Sequence, residues 1–218
     1  MNVCAGPFGA LYDFYIERPW LSAVVGRAVW GSDVRPMYAA MEAIGRMGDG
    51  ATIVDAPCGG GVALRALRPG QDVRYVAADL APAMLDRVRG KAAARGLRQV
   101  EPVEADMRVL PLEDASADLF CSFSGLHMLG DPERAVGEIA RVLRPGGTVV
   151  GSAFVAGGTR RQRLLFGVAE RRGAQPALGT RADHERWLRE AGLEDVSVEG
   201  RGFVVFGARK RSRDPGRL

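Results

Sequence analysis

With 218 residues, 47% of them apolar and 26% charged, the chain suits one sizeable α/β domain rather than a disordered or fibrous protein. No apolar run approaches the roughly 18 residues that cross a bilayer, and Asp13 and Glu17 near the N-terminus argue against a signal peptide, so a cytoplasmic protein without stable membrane insertion is expected. The net charge of +4 rests almost wholly on arginine, Lys91 and Lys210 being the lysines, which reads as coding bias rather than a nucleic-acid surface.

In chain order, residues 1–50 read as a helical cap on the same domain. "LYDFYIERPWLSAVVGRAVWG" carries aromatic and aliphatic residues interrupted by Pro19, which should end one helix and start another. A further helix over Arg35–Met47 puts Met37, Ala40, Met41 and Ile44 on one face. Residues 51–210 then alternate. "TIVDA" is a strand, Gly60–Leu67 a helix ended by "RPG", and "VRYVAADL" a second strand. "APAMLDRVRGKAAARG" is a helix with Pro82 in its first turn. "VEPVEAD" and "ADLFCSF" are the third and fourth strands, "DPERAVGEIARVL" a helix, and "TVVGSAFV" the fifth strand. Strands spaced by helices imply a parallel sheet covered on both faces. An Arg-rich segment and the helix "ADHERWLREAG" follow. "LEDVSVEG" and "GFVVFGARK" then form an antiparallel hairpin at the sheet edge. Residues 211–218 are a flexible basic tail.

In such a sheet, ligands sit beyond the C-terminal ends of the strands. Three successive strands end on acids: Asp55, Asp79 and Asp106. Asp79 follows the glycine turn at the distance where a carboxylate accepts ribose hydroxyls. The turn itself, "DAPCGGG", excludes two ligands. No Gly-Lys-Ser/Thr follows it, which removes a triphosphate held by a P-loop, and Leu64 stands where a dinucleotide loop has its third glycine. What remains is an adenosine ligand without phosphates, with a charged end such as a carboxylate for the helix N-terminus, and S-adenosylmethionine meets that description. Cys4, Cys58 and Cys121 lack metal-ligand spacing, and no metal site is expected.

"VDAPCGGG", "VAADL", "VEADMRVLPLEDASADLFCSF" and "RVLRPGGTVV" together resemble the ordered motifs of class I S-adenosylmethionine-dependent methyltransferases. The subgroup they are most similar to is the small-molecule type of ubiquinone and menaquinone biosynthesis. The resemblance implies a Rossmann-like doubly wound sheet of seven strands, order 3-2-1-4-5-7-6, with strand 7 antiparallel. It implies that Asp55, Ala56, Gly59 and Gly61 form the cofactor loop, that Asp79 with Leu80 binds the ribose, and that Asp106 with Met107 holds the adenine. Ser122 and Phe123, at the end of the fourth strand, complete that set, and "RPGG" is the turn before the fifth strand. Pro57 departs from the family's glycine; it has no N–H, so close approach to the cofactor falls to Gly59 and Gly61.

The acceptor is expected to be a small apolar or aromatic molecule. His127, just past the fourth strand, is the candidate general base; its other reading is a rim histidine that packs or caps "DPERAV". Tyr12, Tyr15, Trp20 and Trp30 are candidates to cover the acceptor. The arginines around Leu164, Leu165 and Val168 suit a solvated lid, an anionic acceptor, or brief membrane contact. The chain is expected to be a monomer or homodimer. Two rival readings stand beside the small-molecule enzyme: an RNA methyltransferase, and a non-catalytic cofactor-binding partner subunit.

Overall fold

The computed structural model describes residues 16–171 and 178–212. Proline sets the start of the helices. Pro19 opens α1 (Pro19–Val25), which continues as a π-helical turn over Gly26–Trp30, and Pro36 lies in the first turn of α2 (Arg35–Gly45). Pro82 and Pro132 begin α3 (Pro82–Ala94) and α4 (Pro132–Val142). Proline is favoured there because its missing N–H would have had no helical partner. Asp131 caps α4 by accepting from the Arg134 N–H at 3.0 Å. A capping box of Thr180 and Asp183 starts α6 (Arg181–Glu190), and α5 (Arg160–Arg171) precedes it.

The strands are β1 (Ala51–Asp55), β2 (Val73–Asp79), β3 (Val100–Glu104), β4 (Ala117–Phe123), β5 (Leu143–Phe154), β6 (Leu193–Arg201) and β7 (Phe203–Lys210). They form one sheet in the order β3-β2-β1-β4-β5-β7-β6. The first five pair in parallel, and β7 runs antiparallel to both neighbours. Every residue of central β4 is buried, as expected of a strand covered on both faces. One core joins α4 and α6 to the sheet through Phe120, Ile139, Trp187 and Phe206; the other joins α2 and α3 to it through Met37, Met41, Tyr75 and Val88.

Three local expectations are corrected. The helix read over Gly60–Leu67 is a 3-10 turn, Val62–Ala66. Only a few residues separate Gly61 from Pro69, too few for a stable α-helix. Arg95 ties down the end of that turn, donating to the Leu64 carbonyl at 2.5 Å and the Leu67 carbonyl at 3.0 Å. The helix read to Met47 ends at Gly45. "RPGG" is not a turn before β5 but an irregularity within it: the register with β4 shifts between Ala117 and Leu119. Gly146 has φ +81°, and a side chain on Gly147 would meet the Arg144 carbonyl oxygen at 2.9 Å.

Candidate active site

The sheet changes direction between β1 and β4, and the glycine turn leaves β1 at that point. The Ala56–Pro57 peptide is cis, and the Pro57 ring lies on Gly125, where a Cβ would sit 2.3 Å from Pro57 Cδ. Gly59 has φ +50°, and a Cβ there would meet nothing within 4 Å, so the turn presents bare backbone to open space. Gly61, at φ +78°, faces protein instead: its Cβ would lie 3.0 Å from Leu64 and 3.1 Å from Val88. Glycine at 61 therefore admits close packing against α3. Lys91 of α3 also donates to the Gly60 carbonyl and pairs with Glu17.

Asp79 organises this turn. One carboxylate oxygen accepts the Gly59 N–H at 2.9 Å and the other accepts the Ala81 N–H at 2.9 Å. A carboxylate has about four acceptor sites, so roughly one remains on each oxygen. Two adjacent hydroxyl donors, as on a ribose, match that remainder. Leu80 is exposed beside it.

The other acids are committed differently. Asp55 is buried and accepts the Tyr75 hydroxyl at 2.8 Å. Burial raises its pKa to about 7 against that hydrogen bond, and nearby Asp79 adds to the rise. Asp106 is gripped by Arg108, which donates Nε at 3.0 and 3.1 Å, Nη2 at 2.6 Å and its backbone N–H at 2.8 Å. Those bonds lower the Asp106 pKa and occupy its acceptor sites, so an adenine amino group reaches it only if the half-buried Arg108 side chain gives way. Met107 is buried in the core, as is Ala56, whose N–H donates to Cys121 at 3.0 Å. Ser122 and Phe123 are buried at the end of β4, and Ser124 beyond them holds a left-handed φ of 59°.

His127 sits in a 3-10 turn, Leu126–Met128, within a cluster of rings. Phe154 is 5.3 Å and Phe166 6.4 Å from it, both edge-on, and Trp30 lies 5.0 Å from Phe154 and 5.8 Å from Phe166. The Phe154 N–H donates to His127 Nδ1 at 3.4 Å, which places the ring proton on Nε2. Burial drops the His127 pKa to about 3, with His184 adding to the fall. His127 does not cap α4; Asp131 does. Of the four expected covering residues, Trp30 joins this cluster, Trp20 is exposed, and Tyr12 and Tyr15 lie outside the described residues.

Four contacts at the site have no mark of their function in the sequence. Tyr75 meets Asp55 because β2 lies beside β1 in register, Ile53 opposite Tyr75 and Asp55 opposite Ala77. That pairing needs the sheet. Arg108, two residues from Asp106, was visible as a short-range pair. The Pro57–Gly125 contact and the Phe154–Phe166 rings join segments far apart in sequence, and no local pattern marks them.

A methyltransferase domain family matches residues 54–151. The chain is 45% identical over 87 residues to the demethylmenaquinone methyltransferase of Thermus thermophilus, covering 40% of this chain and 38% of that protein. It is 35% identical over 164 residues to the malonyl-[acyl-carrier protein] O-methyltransferase of Halorhodospira halophila, covering 73% of this chain and 54% of that one. It therefore spans about half, or less, of these relatives' lengths. It is also 35% identical over 117 residues to a U6 snRNA (guanine-N(2))-methyltransferase of Bos taurus, covering 51% of this chain and 23% of that protein. The fold matches phosphoethanolamine N-methyltransferase 2 of Haemonchus contortus in complex with S-adenosyl-L-methionine, at TM-score 0.77 and 16% identity, over 97% of this chain and 59% of that one.

Proposed function

We propose that the chain, whose residues 54–151 match a methyltransferase domain family, is a class I S-adenosylmethionine-dependent enzyme that methylates a small, apolar or aromatic acceptor by in-line transfer. The observation that carries the cofactor reading is Asp79. It stands at the end of β2, braces the open Gly59 turn, and keeps one acceptor site on each oxygen for a ribose diol. Asp55 with Tyr75 supports the turn from below, and Asp106 is assigned to the adenine amino group once Arg108 turns aside.

When bound, the cofactor supplies a sulfonium methyl that needs no further activation. The residues then have to place the acceptor and exclude water. Trp30, Phe154 and Phe166 give an apolar, ring-lined wall for that purpose, which favours a flat molecule. We assign His127 to positioning, as a neutral ring with a proton to donate from Nε2. Its low pKa and its bond from Phe154 disfavour proton removal.

Incubation with methyl-labelled S-adenosylmethionine and three acceptor pools tests this: total RNA, acyl carrier protein, and an organic-soluble extract. Label is expected in the organic-soluble pool. Label in RNA alone contradicts the small-molecule reading, and label nowhere favours a cofactor-binding partner subunit. Repeating the assay across pH with His127→Gln tests the histidine. An inflection near the ordinary histidine pKa that the variant loses would return the base role to it.

A further inference from the structure

Two helices turn apolar side chains outward at helical spacing. On α1, Trp20 and Val24 lie one turn apart and are 68% and 57% exposed, with Val29 beyond them at 42%. On α5, Leu164 and Val168 are again one turn apart, at 69% and 37%. The opposite faces are buried, through Ser22 and Gly26 on the first segment and Gln162 and Phe166 on the second. Ordinary amphipathic packing thus accounts for the inner faces and leaves the outer ones without a protein partner among the described residues. The two segments touch: Arg161 donates to the Ala28 carbonyl at 2.9 Å, and Thr159 to that of Trp30 at 3.5 Å. The two segments are therefore neighbours.

Among the described residues the charge beside this apolar face is mainly basic. Arg160, Arg161 and Arg163 stand on α5 beside it, and residues 18–32 and 155–169 contain no Asp or Glu. The chain as a whole is nearly balanced, 30 basic against 26 acidic residues, so the acid-free stretches are not the average composition. Of the acids beside these stretches, Glu17 pairs with Lys91, and Asp33 pairs with Arg35 and with Arg27 itself.

We propose that this face docks the protein reversibly on an anionic lipid surface. Trp20, Val24, Leu164 and Val168 would enter the boundary between headgroups and acyl chains, and the arginines would meet lipid phosphates. Among the described residues no helix is long and apolar enough to cross a membrane, so the contact is interfacial. A second copy of the chain is the weaker occupant, because a two-fold interface would set the same arginines against each other. The inference does not depend on which acceptor is methylated. It places α1 and α5 against the bilayer.

Co-sedimentation of the full chain with vesicles tests this. The chain is expected to pellet with phosphatidylcholine vesicles containing phosphatidylglycerol, and much less with phosphatidylcholine alone. Trp20→Ser combined with Leu164→Ser should weaken binding roughly tenfold or more while leaving the thermal transition in place, since both side chains are exposed. Arg160→Gln with Arg163→Gln should weaken it and flatten its salt dependence. Equal binding to both vesicle types, undiminished binding by Trp20→Ser/Leu164→Ser, or no vesicle binding beside tight binding to polynucleotide would each overturn the proposal. So would a stable dimer that those serine substitutions dissociate.

Discussion

Asp55 shows how one buried side chain carries both the support of the site and a measurable cost. It is closed off from water, accepts the Tyr75 hydroxyl at 2.8 Å, and has a pKa near 7 because burial disfavours its charge. The folded chain therefore holds a proton there that the unfolded chain has released, throughout the interval from the ordinary value of 3.8 to about 7. Stability from this group is complete at low pH and declines as pH rises through that interval. His127 acts in the opposite sense. Its pKa, depressed to about 3, costs stability as pH falls below the ordinary value of 6.5. The informative quantity is thus the difference between wild type and Asp55→Asn. Urea unfolding at about pH 5 and about pH 8 should show the wild type losing on the order of 2 kcal/mol more than the variant. Parallel behaviour of the two proteins would mean that Asp55 is not the titrating group.

At the scale of elements, the glycine turn and the segment after β4 are built for each other. Pro57 occupies a glycine position of the family pattern, and its ring fills the space in which a side chain at 125 would lie, 2.3 Å from Cδ. Gly125→Ala should cost about 2 kcal/mol of stability, and adding Pro57→Ala should recover part of that loss. Denaturation of the two single variants and the double variant measures it, and strictly additive losses would deny the contact. The strands and most helices were legible because apolar runs, prolines and glycines mark them locally. Pro19, Pro82 and Pro132 each stand where a helix begins. The 3-10 turn was not legible as such, because Val62–Ala66 is helical in composition and is shortened by the distance to Pro69 and by Arg95 from another element. The same holds for "RPGG", whose place inside β5 depends on its register with β4.

Across the whole molecule, the sheet order sets the site. Parallel β1, β2 and β4 bring Asp55, Asp79, Ser122 and Phe123 to one edge, and their positions at strand ends could be read because each follows an apolar run. The ring cluster proposed to line the acceptor site could not be read. Trp30, His127, Phe154 and Phe166 come from four separate segments, and only their packing makes them one wall. The segments that carry Trp30 and Phe166 also turn Trp20, Val24, Leu164 and Val168 outward, on the face proposed to meet the membrane. The central claim remains that the edge holds an adenosine cofactor through Asp79. Calorimetric titration of S-adenosylhomocysteine into wild type and Asp79→Ala tests it most directly. Binding to the wild type and a loss of tenfold or more, about 1.4 kcal/mol, in the variant are predicted. Equal affinity in the two proteins, or no binding to a folded wild type, would contradict it.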